Sequence, residues 1–326
     1  MSTPQVREVT LARLREQSDC DVDQLPEGLA ALAWDAAART WSFANVVGPV
    51  ESHRTHLIAR YLSRLGAAGG TSWWSLVCLR DALGESGAGT ASHPRPFSVS
   101  RPLVLCYGCR RDDPHGVLMP DAHYFMGHRY ARFRVTRLWE QRRWSSKERS
   151  GIFAGGDHGT VANFIDPAVG LGETPRRRLA TLARELDLPL VVTIGHGVSR
   201  RAQIAHRVVV DVDGFARTWD AWAWKVMSGS VLLSQDSVWS AFFNDQFVPW
   251  EHFVPVRNDF SDLADQLEWC LTHGAEARAI AQRARRHRRE VYRARNVDAR
   301  FRPALDAVMR GDGARPGASS VGRAPD

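Results

Sequence analysis

An Asp-x-Asp pair, Asp211 and Asp213, ends an apolar segment and directly precedes Gly214. Paired carboxylates can hold a divalent cation against a nucleotide diphosphate. Aspartate followed by glycine at the end of a strand also forms turns without any ligand. The pair therefore leaves a metal site and a simple turn as alternatives.

Residues 214–220 (GFARTWD) follow the pair and precede a helical pattern. Amides at a helix N-terminus favour phosphate because they are unpaired and the helix dipole is positive there. Arg217 and the Thr218 hydroxyl could add contacts, although Thr218 could equally cap the helix. Upstream, a glycine-rich loop (153–160) permits close backbone approach to a ligand. Arg176, at the start of another predicted helix, could clamp a phosphate or lie in a solvated basic turn.

Asp81 follows a strand-length apolar run and precedes a loop rich in glycine, serine and proline. A lone carboxylate there can act as a general base, or it can be a turn residue. Cys106 and Cys109 form a Cys-x-x-Cys pair. A structural zinc site needs about four ligands and no second pair follows, so two thiols near the end of a strand are the simpler interpretation.

The elements that must position these residues alternate between strand and helix. Apolar runs of strand length occupy 73–79, 102–108 and 188–194, and helical spacing occupies 53–66 and 175–186. Such a pattern favours an α/β fold with parallel pairing. Residues 206–214 read as a strand, residues 217–229 as a helix that Gly229 closes, and residues 230–235 as the next strand. Ligands in such sheets bind beyond the carboxyl ends of the strands, which is where 211–220 lies.

Composition narrows the function classes. The 326 residues carry a net charge of +7 with a pI of about 9.6, and much of the charge lies between Arg283 and Arg295. That run has a helical apolar stripe, so it indicates a helix with a solvated basic face, and no nucleic-acid-binding motif accompanies it. No apolar segment approaches the roughly 20 residues of a membrane span, and the start lacks a signal-peptide core. We expect a cytoplasmic protein without a disulfide framework, since the five cysteines are odd in number and scattered.

The sequence from His206 onward resembles glycosyltransferase family 90, the family of the Rumi-type protein O-glucosyltransferases and the fungal capsule-associated proteins. The resemblance is carried by Gly-Ser-Val at 229–231, by PWEHFVPV at 249–256 and by DFSDL at 259–263. Upstream, WSSKERSGIFAGG (144–156) and SLVCLRDAL (75–83) are similar to further family segments. The resemblance covers roughly residues 70–295.

What the resemblance implies is an α/β, GT-B-like fold of two Rossmann-like domains facing a cleft. It implies a UDP-sugar donor (glucose or xylose), a hydroxyl acceptor, inversion at the anomeric carbon, and neither a metal nor another cofactor. Asp81 takes the place of the catalytic base. Donor contacts map onto Gly155, Gly156, Arg176, Gly214, Phe215, Ala216, Arg217, Thr218, Trp219 and Asp220.

Two departures from the family pattern concern charge: Ala154 and Asp220 stand where the family often has arginine. We hypothesise that Arg217 supplies the charge missing at Asp220. The expected domains are 1–140, with the base, and 141–300, with the donor site, followed by a disordered tail at 311–326.

The missing signal peptide and disulfides favour a cell-surface glycan, a lipopolysaccharide or a small molecule as acceptor. The basic face is compatible with peripheral association at the inner membrane. No nucleic-acid partner is expected. Two alternatives remain, a metal-dependent Asp-x-Asp transferase and a non-catalytic basic protein that binds polyanions.

Overall fold

A computed structural model describes residues 4–22, 24–25, 28–83, 103–126, 130 and 143–312. The chain forms two compact units. The first takes the described residues up to Leu83, those from Leu103 to Ala122, and those from Val297 on; the second takes those from His123 to Asn296. The predicted domain boundaries at 140 and 300 stay predictions. Most of the predicted disordered tail, residues 313–326, lies outside the described residues.

The first unit is built on a six-stranded sheet. Its strands are β1 (Gln5–Val9), β2 (Leu29–Asp35), β3 (Thr40–Ala44), β4 (Trp73–Cys78), β5 (Val104–Cys106) and β7 (Gly116–Leu118), and β6 (Gly108–Arg110) lies between β5 and β7 in the chain. The order is β1-β3-β2-β4-β5-β7. β2 runs antiparallel to β3 and β4, and the other neighbours are parallel. The expected parallel pairing is confirmed for the predicted strands β4 and β5. β2 and β3 were not predicted; the four residues between them suffice for an antiparallel connection, whereas parallel strands need a crossover.

Three helices precede residue 127 among the described residues: α1 (Leu11–Gln17), α2 (Gly48–Arg64) and α3 (Ala122–Met126). α2 has a proline in its first turn, where the missing N–H costs nothing, and it turns Ile58 and Leu62 into the core. Because Ile58 and Leu62 face the core, the directions of the other α2 side chains are set by the helical period.

The second unit is built on a five-stranded parallel sheet. Its strands are β8 (Glu148–Gly155), β9 (Leu190–Ile194), β10 (His206–Asp211), β11 (Val231–Gln235) and β13 (Val254–Val256), and β12 (Trp239–Ala241) follows β11 in the chain. The order is β13-β11-β10-β8-β9, with every neighbouring pair parallel. In chain order this is the doubly wound arrangement 2-1-3-4-5, in which the winding reverses between the first and third strands. Here that switch point lies between β8 and β10.

The helices after residue 170 are α4 (Pro175–Glu185), α5 (Arg200–Gln203), α6 (Asp220–Lys225), α7 (Leu263–Thr272), α8 (Gly274–Val291) and α9 (Ala294–Arg310). Apolar residues of α4, α7 and α8 pack with those of the sheet strands in one core. The predicted α/β class is confirmed, with a separate sheet in each of two units, as a GT-B-like organisation requires. α6 is shorter than predicted, because the chain from Arg217 to Trp219 forms an irregular turn before it.

The end of the described chain belongs to the first unit through contacts between α9 and α2. Asp298 accepts hydrogen bonds from Arg64 at 2.6 and 2.7 Å, and Phe301 stacks on Tyr61 with 5.6 Å between ring centroids. Arg302 donates to the Leu65 carbonyl at 2.8 Å. Residues more than 230 positions apart therefore complete one packed helix pair.

Candidate functional site

Two loops meet where β8 and β10 end, at the switch point of the parallel sheet. We call residues 156–160 the β8 loop and residues 212–219 the β10 loop. Asn163 donates from its side-chain amide to the Gly214 carbonyl at 2.6 Å. Gly159 has a φ of +137°, and a Cβ placed there would come within 3.1 Å of the same carbonyl. The glycine in each loop thus permits an approach that a larger residue would block.

Arg176, in the first turn of α4, fastens both loops. Its guanidinium donates to the Gly156 carbonyl of the β8 loop at 2.8 Å and to the Asp213 carbonyl of the β10 loop at 3.1 Å. It also donates to His158 Nε2 at 2.8 Å. Burial lowers the pKa of Arg176, and nearby carboxylates oppose that shift. The observed contacts of Arg176 are with the protein itself, so its predicted contact with a donor stays a prediction.

Gly214 lies directly beside the Arg176 guanidinium and the His158 ring that joins it. A Cβ at this position would lie 2.8 Å from Arg176 Nη2 and 2.8 Å from His158 Cδ2. A substitution would have to displace the guanidinium that joins the loops. The sequence predicted a turn glycine here, and the structure adds that its missing side chain makes room for the arginine.

Asp211, the first member of the Asp-x-Asp pair, is fully engaged inside the protein. Lys225 Nζ donates to its Oδ1 at 2.6 Å, and the Thr218 hydroxyl lies 2.8 and 2.7 Å from its two oxygens. Both charged side chains of this ion pair are at most 4% exposed. Thr218 is therefore not the helix cap considered above: Trp219 occupies the N-cap position of α6 and makes no side-chain cap bond.

Asp213, the second member, lies in a different environment. It is buried, and its Oδ2 accepts a hydrogen bond from Ser237 at 2.6 Å. Burial raises its pKa to about 6, although the charge of Arg217 and the Ser237 hydrogen bond act in the opposite direction. The two aspartates of the pair thus serve separate local networks.

Arg217 is 7% exposed, and its Nε and Nη1 find no hydrogen-bond acceptor among the described residues. Its guanidinium carbon lies 5.0 Å from the centroid of the Trp222 ring. Buried donors without acceptors cost free energy, more so when the group is charged. Anionic oxygens brought to this loop would remove that cost, so Arg217 is the group of the site best suited to take up an anion.

Other predicted residues line the outer side of the two loops. Phe215 is 39% exposed and stacks on His158 with 5.1 Å between centroids. Asp220 lies 3.5 Å from Arg200 Nη2 and 3.8 Å from His123 Nδ1, so one guanidinium and one imidazole lie beside the position where the family often has arginine. Trp219 meets the ring of His123 edge-on. Of the remaining predicted residues, Ala216 is buried and Gly155 ends β8.

Asp81 belongs to the first unit and follows β4. Arg54 of α2 donates from Nη2 to Asp81 Oδ1 at 2.8 Å and from Nη1 to the Leu79 carbonyl at 2.5 Å. The Arg54 guanidinium lies 5.6 Å from the centroid of the Tyr107 ring. The Asp81 side chain remains 43% exposed. The carboxylate is therefore held on one side and open to solvent on the other.

Sequence reasoning overlooked the partners of these residues: Arg54, His158, Asn163, Lys225 and Ser237. His158 sat within the quoted glycine-rich loop, where a ring that can accept a hydrogen bond was a usable signal. Lys225 lies 14 positions after Asp211, and a lysine in an apolar helix is itself a sign of a buried partner. Nothing in the spacing of the other three indicates their contacts.

All five cysteines lie in the described part of the chain, where they are buried and form no disulfide. Burial raises the pKa of the Cys106 thiol well above its ordinary value, and the neighbouring Cys109 adds to the shift. A thiol kept protonated in this way is a poor nucleophile and a poor metal ligand. The described residues contain no group of three or more His, Cys, Asp or Glu placed to hold a metal ion.

Comparison with known proteins finds a matching family and several relatives that are similar to part of the chain. Residues 98–300 match the family described as glycosyl transferase family 90. A segment of 76 residues is 31% identical to protein O-glucosyltransferase 2 of Danio rerio and covers 23% of this chain and 15% of that protein. A segment of 77 residues is 30% identical to human protein O-glucosyltransferase 3, with 24% and 15% covered. These matches thus span less than a sixth of either relative.

Two further similarities are to a viral protein and to a solved structure. A segment of 97 residues is 34% identical to the uncharacterized protein 035R of Invertebrate iridescent virus 3, covering 29% of this chain and 9% of that protein. A solved structure of sucrose-phosphate synthase from Thermosynechococcus elongatus aligns with 64% of this chain and 52% of its own at 13% identity and a TM-score of 0.34. Among the described helices, none has the length and apolar character needed to cross a bilayer.

The buried ion pair yields a first prediction. Lys225→Met should lower the free energy of unfolding by about 3–5 kcal/mol, because it leaves Asp211 buried without its counter-charge. Adding Asp211→Asn to that variant should recover part of the loss, since the uncharged amide still accepts from Thr218. Urea denaturation measures both, with Arg201→Met as the exposed control. Equal losses in the single and double variants would contradict this account.

Asp213 yields a second prediction, on pH. Because its pKa of about 6 in the folded protein exceeds the ordinary value of 3.8, the folded state retains a proton that the unfolded chain has lost between these pH values. Stability relative to Asp213→Asn should therefore rise by roughly 2 kcal/mol as the pH falls from 7.5 to 4.5. Urea titrations across this range test it, with exposed Asp265→Asn as control. A difference that does not change with pH would count against a buried, weakly acidic Asp213.

Proposed function

We propose that this chain, which belongs to glycosyl transferase family 90, is a glycosyltransferase that moves a sugar from a UDP-sugar to a hydroxyl acceptor with inversion at the anomeric carbon. The names of the O-glucosyltransferase relatives support glucose, with xylose as the next choice. The single observation that carries the donor class is Arg217, a buried cation with two unpartnered donors in a loop at the switch point of the sheet.

A diphosphate suits this loop for three physical reasons. The switch point of a doubly wound sheet is where such folds bind ligands. The glycines at 156, 159 and 214 leave room for His158, Arg176 and the neighbouring backbone, so the two loops lie close together at this edge. Arginine presents a planar fork of N–H donors that matches phosphate oxygens. Phe215 and His158 add an exposed aromatic surface against which a flat or apolar part of the donor could pack.

We propose that the reaction needs no metal. A metal site at the Asp-x-Asp pair would require both carboxylates, but the oxygens of Asp211 already accept from Lys225 and Thr218. In place of a cation, Arg217 and the loop amides would stabilise the charge on the departing UDP. The metal-dependent alternative requires that Asp211 give up Lys225 and predicts that EDTA abolishes turnover.

Asp81 is the proposed general base. It takes the proton from the acceptor hydroxyl while the acceptor oxygen forms a bond to the anomeric carbon. The bond from that carbon to the diphosphate oxygen breaks, and its electron pair leaves with UDP. Attack from the face opposite the leaving group inverts the anomeric configuration. No metal and no oxidant or reductant enters this balance.

The acceptor and the location belong to the same proposal. A cell-surface glycan, a lipopolysaccharide or a small molecule fits a basic protein, because several of these carry negative charge. Arg278, Arg286 and Arg289 project from the exposed face of α8 and would favour anionic lipid headgroups at the inner membrane face. Cytoplasmic action beside that membrane is therefore what we propose.

Arg217→Gln should weaken UDP binding by about tenfold or more, because charge-assisted hydrogen bonds contribute roughly 1.5–3 kcal/mol each. Isothermal titration calorimetry with UDP measures the change. The matched control is Arg177→Gln, which removes an exposed arginine whose partner is Asp157. Equal UDP affinity in wild type and Arg217→Gln would rule out this donor site.

Asp81→Asn should lower turnover by about 10²–10⁴-fold, the range typical of a lost general base, while UDP affinity stays unchanged. UDP release from UDP-glucose or UDP-xylose, with p-nitrophenyl glycosides as acceptors, gives the rate. Running the wild type with and without EDTA separates the metal-free from the metal-dependent mechanism. A fully active Asp81→Asn enzyme would remove Asp81 from the mechanism but leave the donor site standing.

A further inference from the structure

We propose that Arg54 is a positioning residue that orients the Asp81 carboxylate for proton transfer. The inference rests on the proposed role of Asp81 as the base. In this arrangement Arg54 holds Oδ1, and Oδ2 is the oxygen that receives the proton of the acceptor hydroxyl. Neither the charge of Arg54 nor its place in α2 would have singled it out in the sequence.

The argument begins with the two hydrogen bonds of one guanidinium. Nη2 donates to Asp81 Oδ1 at 2.8 Å and Nη1 to the Leu79 carbonyl at 2.5 Å. Arg54 therefore holds the Asp81 carboxylate at a fixed position relative to the backbone at the end of β4. The arginine is itself confined, since its side chain is 14% exposed and its guanidinium lies over the ring of Tyr107.

The backbone on both sides of Asp81 is fixed independently. The Leu79 N–H donates to the Gly28 carbonyl at 2.8 Å, and the Leu83 N–H donates to the Gly108 carbonyl at 2.7 Å. Gly28, at a φ of +84°, has no side chain where that of Arg80 lies: a Cβ there would come within 2.5 Å of Arg80. These contacts fix the backbone around Asp81, so only the torsion angles of the Asp81 side chain can still change. Arg54 removes that freedom.

Magnitudes separate positioning from simple stabilisation. Partly exposed ion pairs contribute little to folding, because water competes for both charges and two side chains must be ordered. A shift of about 1 Å in a reacting group, by contrast, can cost about 10²-fold in rate. The loss of Arg54 should therefore be seen in turnover far more than in stability. The Asp81 side chain, which is 43% exposed, remains accessible to an acceptor.

The test uses the full chain and the UDP-release assay described above. Arg54→Gln should lower kcat by about 10- to 100-fold, with KM for the UDP-sugar within about twofold of wild type. The kcat of Arg54→Lys should lie between those of wild type and Arg54→Gln, because lysine keeps the charge but cannot make both hydrogen bonds. In Arg54→Ala, guanidinium at tens of millimolar should restore part of kcat. The matched control is Arg60→Gln, an exposed arginine on the same helix.

A double-mutant cycle gives the readout that a purely structural role would not move. If Arg54 acts through Asp81, Arg54→Gln should cause little further loss in an Asp81→Asn background. The UDP-induced rise in melting temperature, measured on every variant, verifies that the protein is folded. A kcat of Arg54→Gln equal to or above that of wild type, an effect on KM alone, additive losses in the cycle, or no rescue by guanidinium would overturn the proposal.

The two levels of the argument fail separately. If Asp81→Asn retains full activity, the general base lies elsewhere and Arg54 loses its assigned partner. If Asp81→Asn is inactive while Arg54→Gln is fully active, the base stands and only the positioning role is wrong. If UDP is not bound by the wild type, the donor class itself is wrong.

Discussion

The hydrogen bonds by which Arg176 joins the β8 loop to the β10 loop are the interaction on which the proposed donor site depends. One guanidinium joins the carbonyls of two loops that leave different strands, and the strands lie on either side of the switch point. Loops at that edge have no sheet neighbour to order them, so without a crosslink each could move independently. A buried arginine supplies this link because its five donors diverge in a plane and can reach several carbonyls at once. Gly214 has no side chain because a Cβ there would lie 2.8 Å from Arg176 Nη2.

The two carboxylates of the Asp-x-Asp pair have different partners. Its first carboxylate forms a buried ion pair with Lys225, which joins the end of β10 to α6. Its second carboxylate is buried near two arginines and sits at an unusually weak acidity for aspartate. This distribution of charge is the ground for proposing that an anion, and not a metal ion, binds at these loops.

How far the sequence could lead depended on the range of the interactions. The strand–helix–strand unit and the position of Asp211 to Asp220 at its edge follow from local periodicity, and they were predicted correctly. β2 and β3 were not predicted, because their mixed apolar and small residues carry no clear period. Contacts such as Arg54 with Asp81 or Asn163 with Gly214 join side chains that are 27 and 51 positions apart. Neither spacing nor composition encodes such pairs, so they required the fold.

The return of α9 to the first unit has a consequence for biosynthesis. The partners of Arg64 and Tyr61 on α2 are Asp298 and Phe301, which emerge from the ribosome only after the whole second unit has been made. The described residues of the second unit all lie between His123 and Asn296, so they are complete before Asp298 and Phe301 are made. The first must keep a helix face uncovered throughout that interval. The large sequence separation between α2 and α9 predicts that the first unit is completed late and slowly. The exposed face of α2 is a natural place for a chaperone to bind in the meantime.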